Sequence, residues 1–432
     1  MIKENSARGL LKPGDKLSAE FDGSPVTIKE FIAEGGQGEV YSADRQGEPV
    51  AVKWYFKRTL EIDPNLQKRL RTIRDSYLSP PSPKYLWPRD LVFASGAATF
   101  GYIMPLMEKR FKSLDMALYS DIPLGLRTRA TAGFKIVDAY QKLHAEGLCY
   151  QDVNAGNVAL DPQTGDVRIC DCDNVSVNGE PGRYATPLFI APEIIEGTAS
   201  ATRNTDLWSI SVLLFRLFLV DHPLLGTRDP MGNDRESFGT NATFIWDPRD
   251  ESNRPLPGEH DQALAYWKLY PQLLRDYFTQ AFTVGIREPL CRVRETEWLR
   301  AMAQLRDSIT PCSHCTAENF YEREAQPCWN CQEPAPKPVR LELGARAIVM
   351  AEGAEVYGWH LNPVNSALAG RLIARVVRHP AYPDRIGLEN LAPLPWRIVL
   401  PTGGEVMLDP NKRIRLEPGI RIDFGSIEGR VT

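Results

Sequence analysis

The stretch Tyr150–Asn157, read as YQDVNAGN, sets Asp152 and Asn157 five positions apart, and Asp171 in ICDCDN follows fourteen residues later. A carboxylate can take the proton of an attacking hydroxyl. A second carboxylate and an amide oxygen are hard ligands of the kind Mg²⁺ prefers. Magnesium held there would neutralise charge building on a triphosphate. The residue types and their spacing therefore fit phosphoryl transfer.

Such a site needs a floor, a phosphate cradle and a cation. Residues 25–56 alternate apolar and polar side chains around turns at Gly35–Gly38 and Gln46–Gly47, which predicts strands. EGGQGEV supplies Gly35, Gly36 and Gly38, where bare backbone can approach phosphate oxygens. Lys53 lies on the next strand, fifteen residues after Gly38. A helix is expected in DPNLQKRLRTIRDSYL, opened by Asp63 and Pro64, then strands over 84–107. From about Thr128 the period changes to that of long helices: one stops at Gly147, a buried one covers Thr205–Val220, and others resume through Leu305. Residues 222–262, rich in Pro, Gly, Asp and Asn, read as a surface excursion.

Composition narrows the class. Hydrophobic content of 43% and charged content of 25% are those of an ordinary globular chain, and a net charge of -4 gives no general pull toward nucleic acid or anionic lipid. The apolar run Leu207–Val220 is short and broken by Ser209, Ser211 and Arg216, so it reads as a core helix. MIKENSARGLL lacks the apolar core of a signal peptide, and the expected location is cytoplasmic, with no membrane partner. Scattered Cys149, Cys170, Cys172 and Cys291 beside one clustered set of four suit a reducing compartment.

From about residue 26 to 306 the chain resembles the protein kinase superfamily. The resemblance is carried by EGGQGEV, AVKW, YQDVNAGN, ICDCDN, ATPLFIAPE at 185–193, TDLWS and CRVRETEW, in the family's order. It implies an α+β, bilobal protein-kinase-like fold over 1–306, with an N-lobe of about 1–105 and a C-lobe of about 106–306. It also implies Ser/Thr-type transfer from ATP with Mg²⁺. Asp152 would accept the hydroxyl proton, and Asn157 and Asp171 would hold Mg²⁺. Gly35, Gly36, Gly38, Val40, Lys53, Pro105 and Met107 would bind nucleotide. Lys53 would take the α- and β-phosphates, and Pro105 could offer adenine only its carbonyl. Asp206 would brace the catalytic loop, and Arg292 would pair with Glu193.

Several positions depart from the pattern. Ala33 replaces the first glycine, Tyr150-Gln151 replaces the usual His-Arg, Asp171-Cys172-Asp173 replaces Asp-Phe-Gly, and Asn154 stands where Ser/Thr kinases carry lysine. Without the arginine, a phosphorylated activation loop lacks a partner at that position. Asp173 reads as a local turn acceptor more readily than as a metal ligand. The expected helix has no glutamate in its body to pair Lys53, leaving Gln67, Asp75 or Glu61 as candidates. The alternative function is a nucleotide-binding pseudokinase scaffold serving as an interaction platform.

Cys312-x-x-Cys315 and Cys328-x-x-Cys331, twelve residues apart, present four thiolates to one tetrahedral Zn²⁺, which predicts a zinc ribbon at 307–333. His314 reads as a bystander. Glu318, Glu322 and Glu324 against a single Arg323 give the ribbon the wrong sign for nucleic acid. After the stiff PAPKP linker, residues 339–432 show short apolar runs between turns, a small all-β module. RVVRHPAYPDRIGLENLAPLPWRIV and LEPGIRIDFG resemble a forkhead-associated (FHA) domain that lacks a Ser-x-x-His segment; Arg375 and Arg378 could hold a phosphate, with solvated surface arginines as the default reading. Kinase, ribbon and FHA-like module in this order resemble the kinase of the bacterial TerY-phosphorylation triad. That resemblance implies bacterial signalling with a von Willebrand A domain protein and a PP2C-type phosphatase as partners.

Overall fold

A computed structural model describes residues 9–77, 79–119, 124–178, 186–228, 238–322, 326–362 and 370–432. Ala185, Arg323 and Glu324 lie outside the described residues. The chain forms two compact units, one of residues 1–124, 132–267 and 275–299, the other of residues 125–131, 268–274 and 300–432.

The first unit opens with six antiparallel strands: β1 (Lys16–Ala19), β2 (Pro25–Glu34), β3 (Gly38–Arg45), β4 (Glu48–Tyr55), β5 (Asp90–Phe93) and β6 (Phe100–Pro105). They close into a barrel in the order β1-β2-β3-β4-β6-β5, with β5 returning to β1. The β3–β4 turn is set by Gln46 and Gly47, both at positive φ, the pattern of a tight hairpin. Strand alternation sorts β4 into two faces. Val50, Val52 and Trp54 join Val26, Tyr41 and Ile103 in one core. Ala51 and Tyr55, on the face that Lys53 shares, join a second core with Leu66 and Leu70. Those leucines come from α2 (Leu66–Ser76), which follows α1 (Lys57–Ile62).

Two glycines let the neighbours close on β4 near Lys53. A Cβ at Gly38 would lie 2.2 Å from the Trp54 carbonyl oxygen, and one at Gly101 2.5 Å from that of Lys53. The strand carrying the lysine is thus clamped from both sides by backbone.

Helices follow: α3 (Leu114–Leu118), α4 (Leu126–Ala145), α5 (Pro192–Ile195) and α6 (Arg203–Leu219). Gly147 at φ 75° ends the α4 connection, where the sequence expects a stop. The α6 helix is buried along nearly its whole length and opens with a Thr202–Thr205 capping box. Short strands accompany these helices: β7 (Lys112–Ser113) before α3, and β8 (Leu148–Cys149), β9 (Val158–Leu160), β10 (Val167–Ile169) and β11 (Ser176–Val177) between α4 and α5. No helix among the described residues is long and apolar enough to cross a membrane.

The second unit contains a hairpin, β12 (Ile309–Pro311) with β13 (Glu318–Phe320), and then ten strands. These are β14 (Arg340–Leu343), β15 (Arg346–Val349), β16 (Glu355–Tyr357), β17 (Leu372–His379), β18 (Tyr382–Asn390), β19 (Trp396–Val399), β20 (Glu405–Leu408), β21 (Arg413–Arg415), β22 (Arg421–Asp423) and β23 (Glu428–Val431). They make a six-stranded sheet, β15-β14-β23-β22-β19-β20, and a four-stranded one, β16-β17-β18-β21. Leu341, Trp396 and Ile422 of the first sheet meet Val356, Val376 and Leu388 of the second in one apolar core.

Candidate active site

The β9–β10 hairpin brings the metal candidates together. Val158 faces Ile169 in its register, and the Cys170 amide donates to the Asn157 carbonyl at 2.8 Å. Asp171 therefore emerges beside Asn157 although fourteen residues separate them. Asp171 sits at φ 48°, a left-handed turn uncommon for a residue with a side chain, and its carboxylate is 40% exposed.

Asp152 is held from three sides. Its Oδ1 accepts from Asn154 Nδ2 at 2.9 Å and from the Thr186 amide and hydroxyl at 3.0 and 2.9 Å. Its Oδ2 accepts from Asn157 Nδ2 at 3.1 Å. Burial pushes its carboxyl above the usual aspartate range, and these donors only partly offset it. The Asn157 amide nitrogen is spent on Asp152, its carbonyl included. The Asn157 side-chain oxygen is then the atom left to act as a ligand. A half-exposed carboxylate beside an amide oxygen suits Mg²⁺, which keeps several waters.

The catalytic loop is fixed from beneath. Asp206, in the first turn of α6, accepts the amides of Tyr150 and Gln151 at 2.5 and 3.0 Å. These bonds hold Gln151 at φ 72°. His144 lies between two carboxylates, Asp206 at 3.0 Å and Glu295 at 2.5 Å, and Arg203 closes the chain on Glu295 at 2.6 Å. Burial pulls His144 down, but the two carboxylates outweigh it and hold the imidazole above its ordinary value. Glu295 is resisted by burial and held down to about 2 by His144 and Arg203.

Tyr150 and Gln151 both point inward. The Tyr150 hydroxyl donates to the Cys170 carbonyl and its ring packs with Tyr85 and Tyr140. The Gln151 amide donates to Ser176. Arg292 forks onto Glu193 at 2.6 and 2.7 Å and also donates to the carbonyls of Gly285 and Asn204.

Lys53 corrects the sequence reading. None of the three candidates on or near the helix reaches it. Asp75 pairs with Arg74, Glu61 with Lys57, and Gln67 lines a separate surface pocket with Leu60, Asp63 and Phe93. The Lys53 ammonium instead meets Asp173 Oδ2 at 2.9 Å and Asp171 Oδ1 at 3.3 Å. Asp173 is no local turn acceptor, because its side chain is 0% exposed and also accepts from the Tyr55 hydroxyl at 2.5 Å. Burial opposes the Lys53 charge, yet the two aspartates hold its ammonium above the usual range. Gln37, at the tip of the glycine hairpin, adds its Oε1 at 2.9 Å. Asp173, Gln37 and Thr186 are site residues the motifs alone did not flag. The lack of any acid on the core-facing side of α2 was the one available signal.

The remaining nucleotide candidates form an apolar patch. Val40 and Met107 pack against the core that holds Ala51 and Met104, as does Cys170, which the motifs did not name as a candidate, and Pro105 ends β6 opposite Val50. Gly35 and Gly36 leave the hairpin tip open, with no side-chain atom within 4 Å of a Cβ built on either.

Residues 92–262 match the protein kinase domain family. The chain is similar to protein kinase gsk3 of Schizosaccharomyces pombe, 32% identical over 95 residues, covering 21% of this chain and 24% of that protein. It is also similar to the serine/threonine-protein kinase RUNKEL of Arabidopsis thaliana, 30% identical over 91 residues, covering 20% of this chain and 7% of that one. Glycogen synthase kinase 1 of Pyricularia oryzae is 30% identical over 90 residues, 20% of this chain and 23% of that protein. The chain thus spans about a quarter or less of each relative. The matched stretch has mixed helix and strand content.

The four ribbon cysteines form a second centre within the other unit. Their Sγ atoms all lie within 4.8 Å of one another, with Cys312–Cys331 at 3.7 Å and Cys315–Cys328 at 3.6 Å. Tetrahedral Zn–S bonds of ~2.3 Å require edges of about 3.8 Å, so the donor set fits zinc. The His314 amide and the Asn319 side chain donate to Cys312 and Cys328 at 3.4 and 3.5 Å, second contacts of the kind that steady thiolate ligands.

Proposed function

We propose that this chain is a Ser/Thr-type protein kinase transferring phosphoryl from ATP to protein hydroxyl groups. The observation that carries the reading is Asp152, half-buried, oriented by Asn154, Asn157 and Thr186, and raised toward proton acceptance. Asn157 and Asp171 would hold Mg²⁺, which neutralises phosphate charge when bound. Lys53 aligns the α- and β-phosphates, and the Gly35–Gly38 hairpin covers them. Asp152 orients the incoming hydroxyl and takes its proton, with Thr186 and Asn154 fixing the carboxylate. Val40, Pro105 and Met107 border the adenine position.

Incubation with labelled ATP and Mg²⁺ should show incorporation by the wild type and a loss of about 10²- to 10⁴-fold in Asp152→Ala, the range for a positioned acid–base group. Equal incorporation would leave the nucleotide-binding scaffold as the reading. The finer assignment is a cytoplasmic kinase of the TerY-phosphorylation type. Its zinc ribbon and FHA-like module would dock a von Willebrand A domain protein and a PP2C-type phosphatase. That assignment is supported by the order of the parts along the sequence. Copurification that survives deletion of residues 307–432 would count against the docking role.

A further inference from the structure

The three N–H bonds of the Lys53 ammonium face three acceptors: Asp173, Gln37 and Asp171. The two carboxylates differ in kind. Asp173 is fully enclosed and shares its Oδ2 with Tyr55. Its carbonyl accepts from Arg69 Nε at 3.1 Å, and Arg69 is pinned in turn by the buried Asp63 at 2.7 Å. Asp171 is 40% exposed, and Lys53 is its one ion-pair partner among the described residues. A carboxylate sealed against a fixed cation cannot be freed without leaving a buried charge unpaired, whereas a half-solvated one exchanges at little cost.

We propose that Asp173 is the permanent anchor that positions Lys53, and that Asp171 is its exchangeable partner, released to a divalent cation when nucleotide enters. This rests on the phosphoryl-transfer reading above. It follows that α2 is not the switch for this ion pair. The one acid within Leu66–Ser76 is Asp75, which is 62% exposed and paired with Arg74. The α2 residue that does reach the loop, Arg69, has the opposite charge and grips backbone. The lysine's partner comes from the same loop that carries the metal ligand, so lysine and metal site are set together.

The test compares Asp173→Asn with Asp171→Asn, reading ATP binding by calorimetry in EDTA and then with Mg²⁺. Without metal, Asp173→Asn should weaken ATP binding by about 10- to 100-fold, the worth of a hydrogen bond between charged groups. Asp171→Asn should bind metal-free ATP as tightly as wild type or tighter, because a negative charge beside the triphosphate is gone, and should lose the tightening that Mg²⁺ brings. In Asp173→Asn the Mg²⁺ concentration for half-maximal transfer should rise, since Asp171 is then the one carboxylate left to Lys53. A purely structural role for Asp173 would not move that dependence. Asp75→Asn should change neither readout. Matching phenotypes for the two aspartate variants, or unchanged metal-free affinity in Asp173→Asn, would overturn the assignment. If Asp173→Asn fails to fold by circular dichroism, Tyr55→Phe decides, with a several-fold loss of metal-free affinity expected and no loss overturning it. Wild-type binding with this pattern but no transfer would sink the kinase reading alone.

Discussion

Ion pairs occur in both units, and they differ in what surrounds them. In the first unit Lys53 is 4% exposed, Arg292 1% and Glu295 0%, and each serves several partners. On the β module, Arg375–Glu355, Arg378–Glu352 and Arg413–Glu389 form at 2.7–3.0 Å, but each of these three arginines is about half exposed. Distance does not separate the two sets. Burial does, because an unpaired charge is costly only where water cannot reach it. The arginines offered for phosphate binding, Arg375 and Arg378, already lie against glutamates.

Three changes would break or sharpen this contrast. The largest is Arg292→Leu, which leaves Glu193 without its fork and removes the donations to the Gly285 and Asn204 carbonyls. We expect a loss of about 3–5 kcal/mol in thermal or denaturant unfolding. A loss below ~1 kcal/mol would place the pair with the surface set.

The next is the pH dependence of the His144 cluster. Glu295 has its carboxyl depressed from 4.5 to about 2, so its contribution is full above 4.5 and drains as pH falls through about 2. His144 is raised above 6.5, so its contribution is full below 6.5 and is lost as pH rises through its folded value. Stability should therefore crest between about 4.5 and 6.5. Glu295→Gln should flatten the acid limb, removing on the order of 2–3 kcal/mol at the crest. Chemical denaturation across pH checks this, and an unchanged acid limb would exclude Glu295 as its source. The smallest effect belongs to Arg378→Ala, expected to cost under about 1 kcal/mol and to fade with added salt.

The same contrast explains what the sequence could reveal. Asp152, Asn157 and Asp171 are legible because their chemistry restricts residue type and spacing together. The Cys312–Cys331 cluster is legible for the same reason. The alternation in β2 and β3 and the length of α6 follow from burial on one face or on all faces. Asp173 was not legible, because its role depends on a fold-back of 120 residues to Lys53 that no local spacing encodes. The familiar expectation of an acid on the helix also pointed elsewhere. Gln37 was hidden likewise, since a polar residue at a hairpin tip ordinarily faces water.

The return of β5 to β1 has a consequence for assembly. A sheet that closes on itself offers no row of unpaired amides, so no other chain can extend the barrel by adding a strand. The six-stranded sheet of the second unit ends instead at β15 and β20, and β20 carries Val406 and Met407 exposed at its rim. Strand addition is therefore barred at the barrel and left open at edges such as β20, where a lysine or proline would blunt the edge.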